Sequence, residues 1–172
     1  MKTKNTVIDQ ELVLPDDEFI SSKTDPNGTL TYANSLFVKY SGYKESELLG
    51  QQHNIIHHPD MPRVIFKLMW DALQSKREFN GYIKNLNKNG SYYWVFANIA
   101  PSFSPDNELL GYYSVERKPD TEKLNYIKNL YADFMEIEQQ SPPEESINNS
   151  LYKLNILLNG REKGYDEFIL TI

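Results

Sequence analysis

The chain has no cysteine among its 172 residues. That excludes disulfides, a thiolate nucleophile, Cys-ligated iron–sulfur clusters and Cys-type zinc sites. Redox chemistry in such a chain has to come from a bound cofactor. No apolar run approaches the roughly 18 residues of a membrane span, and Met1-Lys2-Thr3-Lys4-Asn5 lacks the apolar stretch of a secretion signal. Basic residues are neither abundant nor clustered. The 18 Lys and Arg stand against 24 Asp and Glu, and the net charge of −6 has the wrong sign for a nucleic-acid surface. These absences lead us to expect a cytoplasmic protein that neither inserts into a membrane nor binds nucleic acid.

What is present is the composition of a folded protein. Apolar residues make up 40% and aromatic residues 13%, well above the level of a disordered chain. The length suits one domain, or one domain with a short appendage. The densest chemistry lies in His57-His58-Pro59-Asp60-Met61-Pro62, which packs three ionisable side chains and two prolines into six residues. The prolines push His58 and Met61 away from the α region, and Asp60 is placed to cap the helix that follows. Such a rigid polar loop at a positively polarised helix end suits an anionic or heteroaromatic ligand. A well-capped helix start with no ligand accounts for the same residues.

The pattern along the chain alternates short elements. Phe19 to Thr24 and Thr29 to Ala33 read as strands joined by the turn Asp25-Pro26-Asn27-Gly28. Asn34 to Tyr40 and Glu45 to Leu49 read as short helices, with Lys44 a poor N-cap for the second. Pro62 to Lys76 is the longest internal helix. Met61, Ile65, Leu68, Met69 and Ala72 line one face, and Phe66, Trp70 and Leu73 another, so it is buried on two sides. Gly81 to Leu86, Tyr92 to Ala100 and Leu110 to Arg117 form a three-strand meander through Asn87-Lys88-Asn89-Gly90 and Ser104-Pro105-Asp106-Asn107. This order defines an α+β fold with an antiparallel sheet. Beyond Asp120 the apolar residues follow helical spacing. A capping-box sequence, Ser141-Pro142-Pro143-Glu144, opens a further helix that Asn159-Gly160 stops.

Several of these stretches resemble a PAS domain, and within that family the flavin-binding PAS of aerotaxis sensors (the Aer type). They are Ser41-Gly42-Tyr43, Glu47-Leu48-Leu49-Gly50, His53-Asn54 and His58-Pro59-Asp60-Met61-Pro62, followed by Met69-Trp70, Gly81, Lys84-Asn85, Lys88-Asn89-Gly90, Tyr93-Trp94-Val95 and Ala97-Asn98. The resemblance implies a PAS fold over residues 17–119: a five-stranded antiparallel sheet with short helices on one face. A flexible lead-in, residues 1–16, would precede it, and a helical C-terminal tail, residues 120–172, would follow.

It further implies FAD held between the sheet and the helical side. His58, Asp60, Trp70, Asn85 and Trp94 match the motif as its contacts. His57 stands where the family usually has Arg, and Phe79 where it often has Trp; both remain candidate contacts. Flat walls from Trp70 and Trp94 and an amide from Asn85 are what a flavin ring requires. The implied role is a redox or energy sensor that is not an enzyme. Its partner would be a membrane-bound chemoreceptor or another signalling protein, as in the cytoplasmic half of a split energy-taxis receptor, and a homodimer is a further expectation.

Alternatives stay open at this point. The Trp residues and Asn85 also suit ordinary core packing. His53, His57, His58 and Asp60 have metal-ligand chemistry, though so short a loop rarely aims four side chains at one ion. His57 or His58 could serve as an axial haem ligand. A ligand-free PAS interaction module is the remaining reading. A cysteinyl–flavin photoadduct is excluded by composition.

Overall fold

The computed structural model describes residues 6–159 and 164–172; Met1 to Asn5 of the lead-in and Gly160 of the expected helix stop lie outside them. Five strands, β1 (Ile20–Thr24), β2 (Leu30–Ala33), β3 (Phe79–Leu86), β4 (Tyr92–Phe103) and β5 (Leu109–Arg117), form one antiparallel sheet in the order β2-β1-β5-β4-β3. The expected strands are all present. β4 runs three residues longer than the pattern suggested, because Pro101 to Phe103 stay paired with β5, across a bulge between Ser102 and Phe103.

Turn chemistry explains the first hairpin. The Asp25 carboxylate accepts from the amides of Asn27 and Thr29 at 2.8 and 2.9 Å, and Gly28 supplies the φ of +81°. At the same end of β1, Gly111 lets β5 pass close by. A Cβ there would sit 1.9 Å from the Thr24 carbonyl oxygen.

Between β2 and β3 run α1 (Ser35–Ser41), α2 (Glu45–Leu48), a short 3-10 turn (His53–Ile56) and α3 (Arg63–Gln74). The Asn34 side chain caps α1 by accepting from the Phe37 amide. Lys44 is as poor a cap as expected, and the Glu47 carboxylate compensates by accepting from the Lys44 amide at 3.0 Å. α3 is buried through Val64, Ile65, Met69, Ala72 and Leu73; of the expected second face only Leu73 is buried, with Phe66 half-buried and Trp70 exposed.

Two local expectations fail. Asp60 does not cap α3. Pro62 holds the cap position, while Asp60 turns to the Lys84 ammonium at 2.8 Å. The Ser141–Glu144 capping box does not form either. The Pro142 carbonyl accepts from the amides of both Glu145 and Ser146, which makes a turn, and the helix begins at Ser146.

The tail comprises α4 (Thr121–Gln140), α5 (Ser146–Asn159) and α6 (Tyr165–Thr171). It packs closely on the sheet. Leu124, Ile127, Leu130, Tyr131, Phe134, Leu154, Phe168 and Ile169 belong to the same buried cluster as the sheet. α4 covers the sheet face opposite α3, so helices flank both faces. The Tyr131 hydroxyl donates to the Tyr82 carbonyl oxygen at 2.9 Å, on the strand at the edge of the sheet.

The lead-in is likewise attached. Ile8 and Leu12 donate to the carbonyls of Gly90 and Tyr92, and Leu14 is buried. Those residues fill the place beside the start of β4 that β5, paired only as far as Phe96, leaves open.

Candidate functional site

Strand alternation divides the sheet's side chains between two faces. Ile83, Asn85, Ile99, Tyr112, Ser114 and Glu116 turn toward α3 and border a cavity of about 280 Å³. α3 contributes Phe66, Met69, Trp70 and Leu73, and the 3-10 segment contributes His53 and His57. The volume lies at the lower edge of the roughly 300–1,000 Å³ usual for small-molecule sites, and the lining is mainly apolar with a few convergent polar groups. Trp70 meets the Tyr112 ring edge to face at 5.6 Å and packs beside Gly28 at the cavity's rim.

The polar groups have defined states. Glu116 is fully enclosed, and burial pushes its carboxyl up to about 7. The Ser114 hydroxyl donates to one of its oxygens at 3.3 Å, and the Asn85 amide to the other at 3.4 Å. The Tyr93 hydroxyl, opposite Asn85 on β4, also approaches the Asn85 side chain, whose carbonyl oxygen is of the kind that accepts from a ligand. Burial also holds His53 down at about 4 and His57 at about 3, the latter helped by His53 beside it. Both imidazoles are neutral at physiological pH. The His53 ring nitrogen lies 3.2 Å from the Ser22 hydroxyl, and His57 stacks on Phe66 at 4.2 Å. Thr24 Oγ1, which also faces the cavity, is buried with no hydrogen-bond partner among the described residues.

Of the residues singled out by sequence, the structure brings His57, Trp70 and Asn85 together here. The others lie elsewhere, for reasons of backbone geometry. His57 bridges to Asn85 at the edge of β3, so its side chain turns inward and that of the next residue turns away. His58 is buried outside the cavity, edge-on to Tyr92 at 5.7 Å, with its Nδ1 accepting from the Asp60 amide at 3.1 Å. Desolvation, and secondarily the Lys84 charge, holds its pKa down.

Trp94 is paired with Lys84, one residue out of phase with Asn85, and packs against α4. Asp60 and Trp94 border a second hollow of about 480 Å³ under α4. The two cations of its lining already have partners, Lys84 with Asp60 and Lys128 with Glu11. Phe79 stacks on Tyr165 of α6 at 5.8 Å, so the tail takes up its ring.

Sequence reasoning missed His53 as a cavity residue, and also Ser22, Met69 and Glu116. Glu116 was detectable. It shares the phase of Tyr112 and Ser114 in a strand whose alternation was otherwise legible, and a carboxylate on the inward phase is a cost that needs a reason. Among the described residues, no cluster of three or more His, Cys, Asp or Glu side chains is placed to hold a metal.

This architecture, a five-stranded antiparallel sheet with a ring-sized cavity under its crossing helices, defines a class of sensory domain. A family model described as the PAS fold matches residues 30–115, and the chain belongs to that family. Within it the resemblance is to the aerotaxis type. The aerotaxis receptor of Escherichia coli (strain K12) is 38% identical over 131 residues, covering 76% of this chain and 26% of the receptor. The nitrogen fixation regulatory protein of Klebsiella pneumoniae is 32% identical over 96 residues, 56% of this chain and 19% of that protein. The chain therefore spans about a quarter or less of the length of these relatives. A light-oxygen-voltage domain studied with a flavin analogue superposes with a TM-score of 0.57 at 22% identity, over 67% of this chain and 87% of that one. That likeness concerns the fold.

Proposed function

We propose that the protein is a sensor, not an enzyme, that holds FAD by its ring in the inner cavity and passes the redox state to a signalling partner. The observation that carries this reading is the lining. Phe66, Met69, Trp70, Leu73, Ile83 and Ile99 offer flat apolar contact, and Asn85, Glu116 and the unpaired Thr24 hydroxyl offer hydrogen bonds along one side. These are the groups a flavin ring requires. When bound, FAD would supply a redox centre whose charge and protonation change on reduction.

The chain's own part is positional and protonic. Asn85 presents an acceptor while its amide is held by Glu116, and Glu116 titrates near neutrality, so it can release or take a proton beside the ligand. The names of the relatives support a signalling role: one is an aerotaxis receptor, another a nitrogen fixation regulatory protein. We assign the partner to the chemoreceptor class. Exposed Tyr126, Tyr152 and Ile156 on the tail are the surface where it, or a second copy of the chain, would dock. Among the described residues no helix is long and apolar enough to cross a membrane, which agrees with a cytoplasmic placement.

The test is an absorption spectrum of freshly purified protein, before and after anaerobic dithionite. Two broad bands, in the near ultraviolet and the blue, that bleach on reduction support the proposal. A sharp Soret band would replace it with haem sensing through His53 or His57. Protein that stays colourless after incubation with FAD would leave a ligand-free docking module.

A further inference from the structure

The N-terminus of α3 is satisfied from outside its own segment. Pro62 occupies the cap position without a side-chain hydrogen bond, which leaves the amides of the first turn to find partners elsewhere. They find them on α4. Glu138, 75 residues further along the chain, accepts from the Arg63 amide at 2.9 Å through Oε2. Through Oε1 it accepts from the Val64 amide, also at 2.9 Å. Arg63 Nε donates to the same carboxylate at 3.3 Å, and its Nη2 donates to the hydroxyl of Ser146, the first residue of α5. Glu138 is a buried acidic residue. One carboxylate and one arginine thus fasten α3, α4 and α5 at a single node.

The other end of this lever is the cavity. Phe66, Met69 and Trp70 lie three to seven residues beyond Arg63 on the same helix and form one wall of the cavity. An α-helix rises about 1.5 Å per residue and moves as a rod over such a span, so a shift of this wall displaces the first-turn amides by a similar amount. Those amides are held by two directional, charge-assisted hydrogen bonds, which weaken steeply with misalignment. The bidentate carboxylate, tied to α5 through Arg63 and Ser146, makes the position of α3 a condition for the seating of the tail.

We propose that Glu138 is a positioning residue that couples the cavity wall to the C-terminal helices through the N-terminus of α3. This route is separate from the sheet contact made by Tyr131. It concerns the cavity assigned above to FAD but does not depend on which ligand fills it.

The test is a double-mutant cycle on the full chain, read by hydrogen exchange of amides 144–150. Trp70→Ala perturbs the cavity wall without touching the tail, and Trp70→Phe serves if the alanine variant does not fold. In the wild-type background, the wall variant is expected to speed exchange at 144–150 by about fivefold or more. In the Glu138→Gln background the same variant is expected to change it by less than about twofold. In a Tyr131→Phe background the full response should persist. Amides of β1 and β5 report global opening and correct for it. Equal responses with and without Glu138, or no response in the wild-type background, would overturn the proposal. FAD added to the wild type and to Glu138→Gln is a second perturbation. If FAD leaves every amide unchanged while the wall variant still reaches the tail, the flavin reading fails and the coupling stands.

Discussion

Glu116 sets a sign for the pH dependence of the fold. A carboxyl that titrates at about 7 when folded, against an ordinary 4.5, binds its proton more tightly in the folded state. Its stabilising contribution is complete below pH 4.5 and lost as pH rises through 7. His53 and His57 act in the opposite sense. Held at about 4 and about 3, they contribute above their ordinary 6.5 and lose that contribution as pH falls. Stability is expected to peak between pH 6 and 7, within the window these shifts define. Glu116→Gln should raise stability at pH 8 by on the order of 1–3 kcal/mol and change it little at pH 5, as read from urea midpoints. Ligand binding separates two neighbouring residues in the same way. Asn85→Ala should weaken FAD binding by about tenfold, because it removes a buried hydrogen-bond partner. Trp94→Phe, on the other face, should leave the Kd within about twofold. Fluorescence titration decides both.

Strands, turns and most helix spans were legible because turn chemistry and alternation are local. Asp25-Pro26-Asn27-Gly28 makes the expected turn, and Tyr112, Ser114 and Glu116 keep strict phase. The helix caps were not legible. Asp60 is well placed by sequence to cap α3, yet an ammonium across the sheet claims it and a carboxylate from α4 takes its place. Neither partner lies within reach of a local rule. The cavity was legible in part. The loop with His57 was legible from the sequence pattern and Asn85 from the family resemblance, whereas Trp94 and His58, implied by the same resemblance, fell on the wrong side of a backbone whose phase only the pairing decides.

The tail reads as an appendage in the sequence and behaves as a wall of the core. Removing residues 120–172 uncovers Trp94 and Tyr82 and empties the sites of eight buried tail side chains. At about 1.5–3 kcal/mol for each buried apolar side chain, the loss is on the order of 10 kcal/mol or more. That matches the whole net stability of an ordinary domain, about 5–15 kcal/mol. A fragment ending at Pro119 is therefore expected to aggregate or to lack a cooperative urea transition, whereas the full chain is expected to show one.

At the scale of the whole molecule, the strand order carries a consequence in time. β1 lies between β2 and β5, so the first strand made pairs with the last, and 96 positions along the chain separate Ile20 from its neighbour Glu116. During synthesis the first hairpin leaves the ribosome with one long side bare, and nothing can cover it until Arg117 has emerged. The sheet must wait for its last strand before its centre exists. Refolding should accordingly be slow for its size, with the β1–β5 amides the last to gain protection.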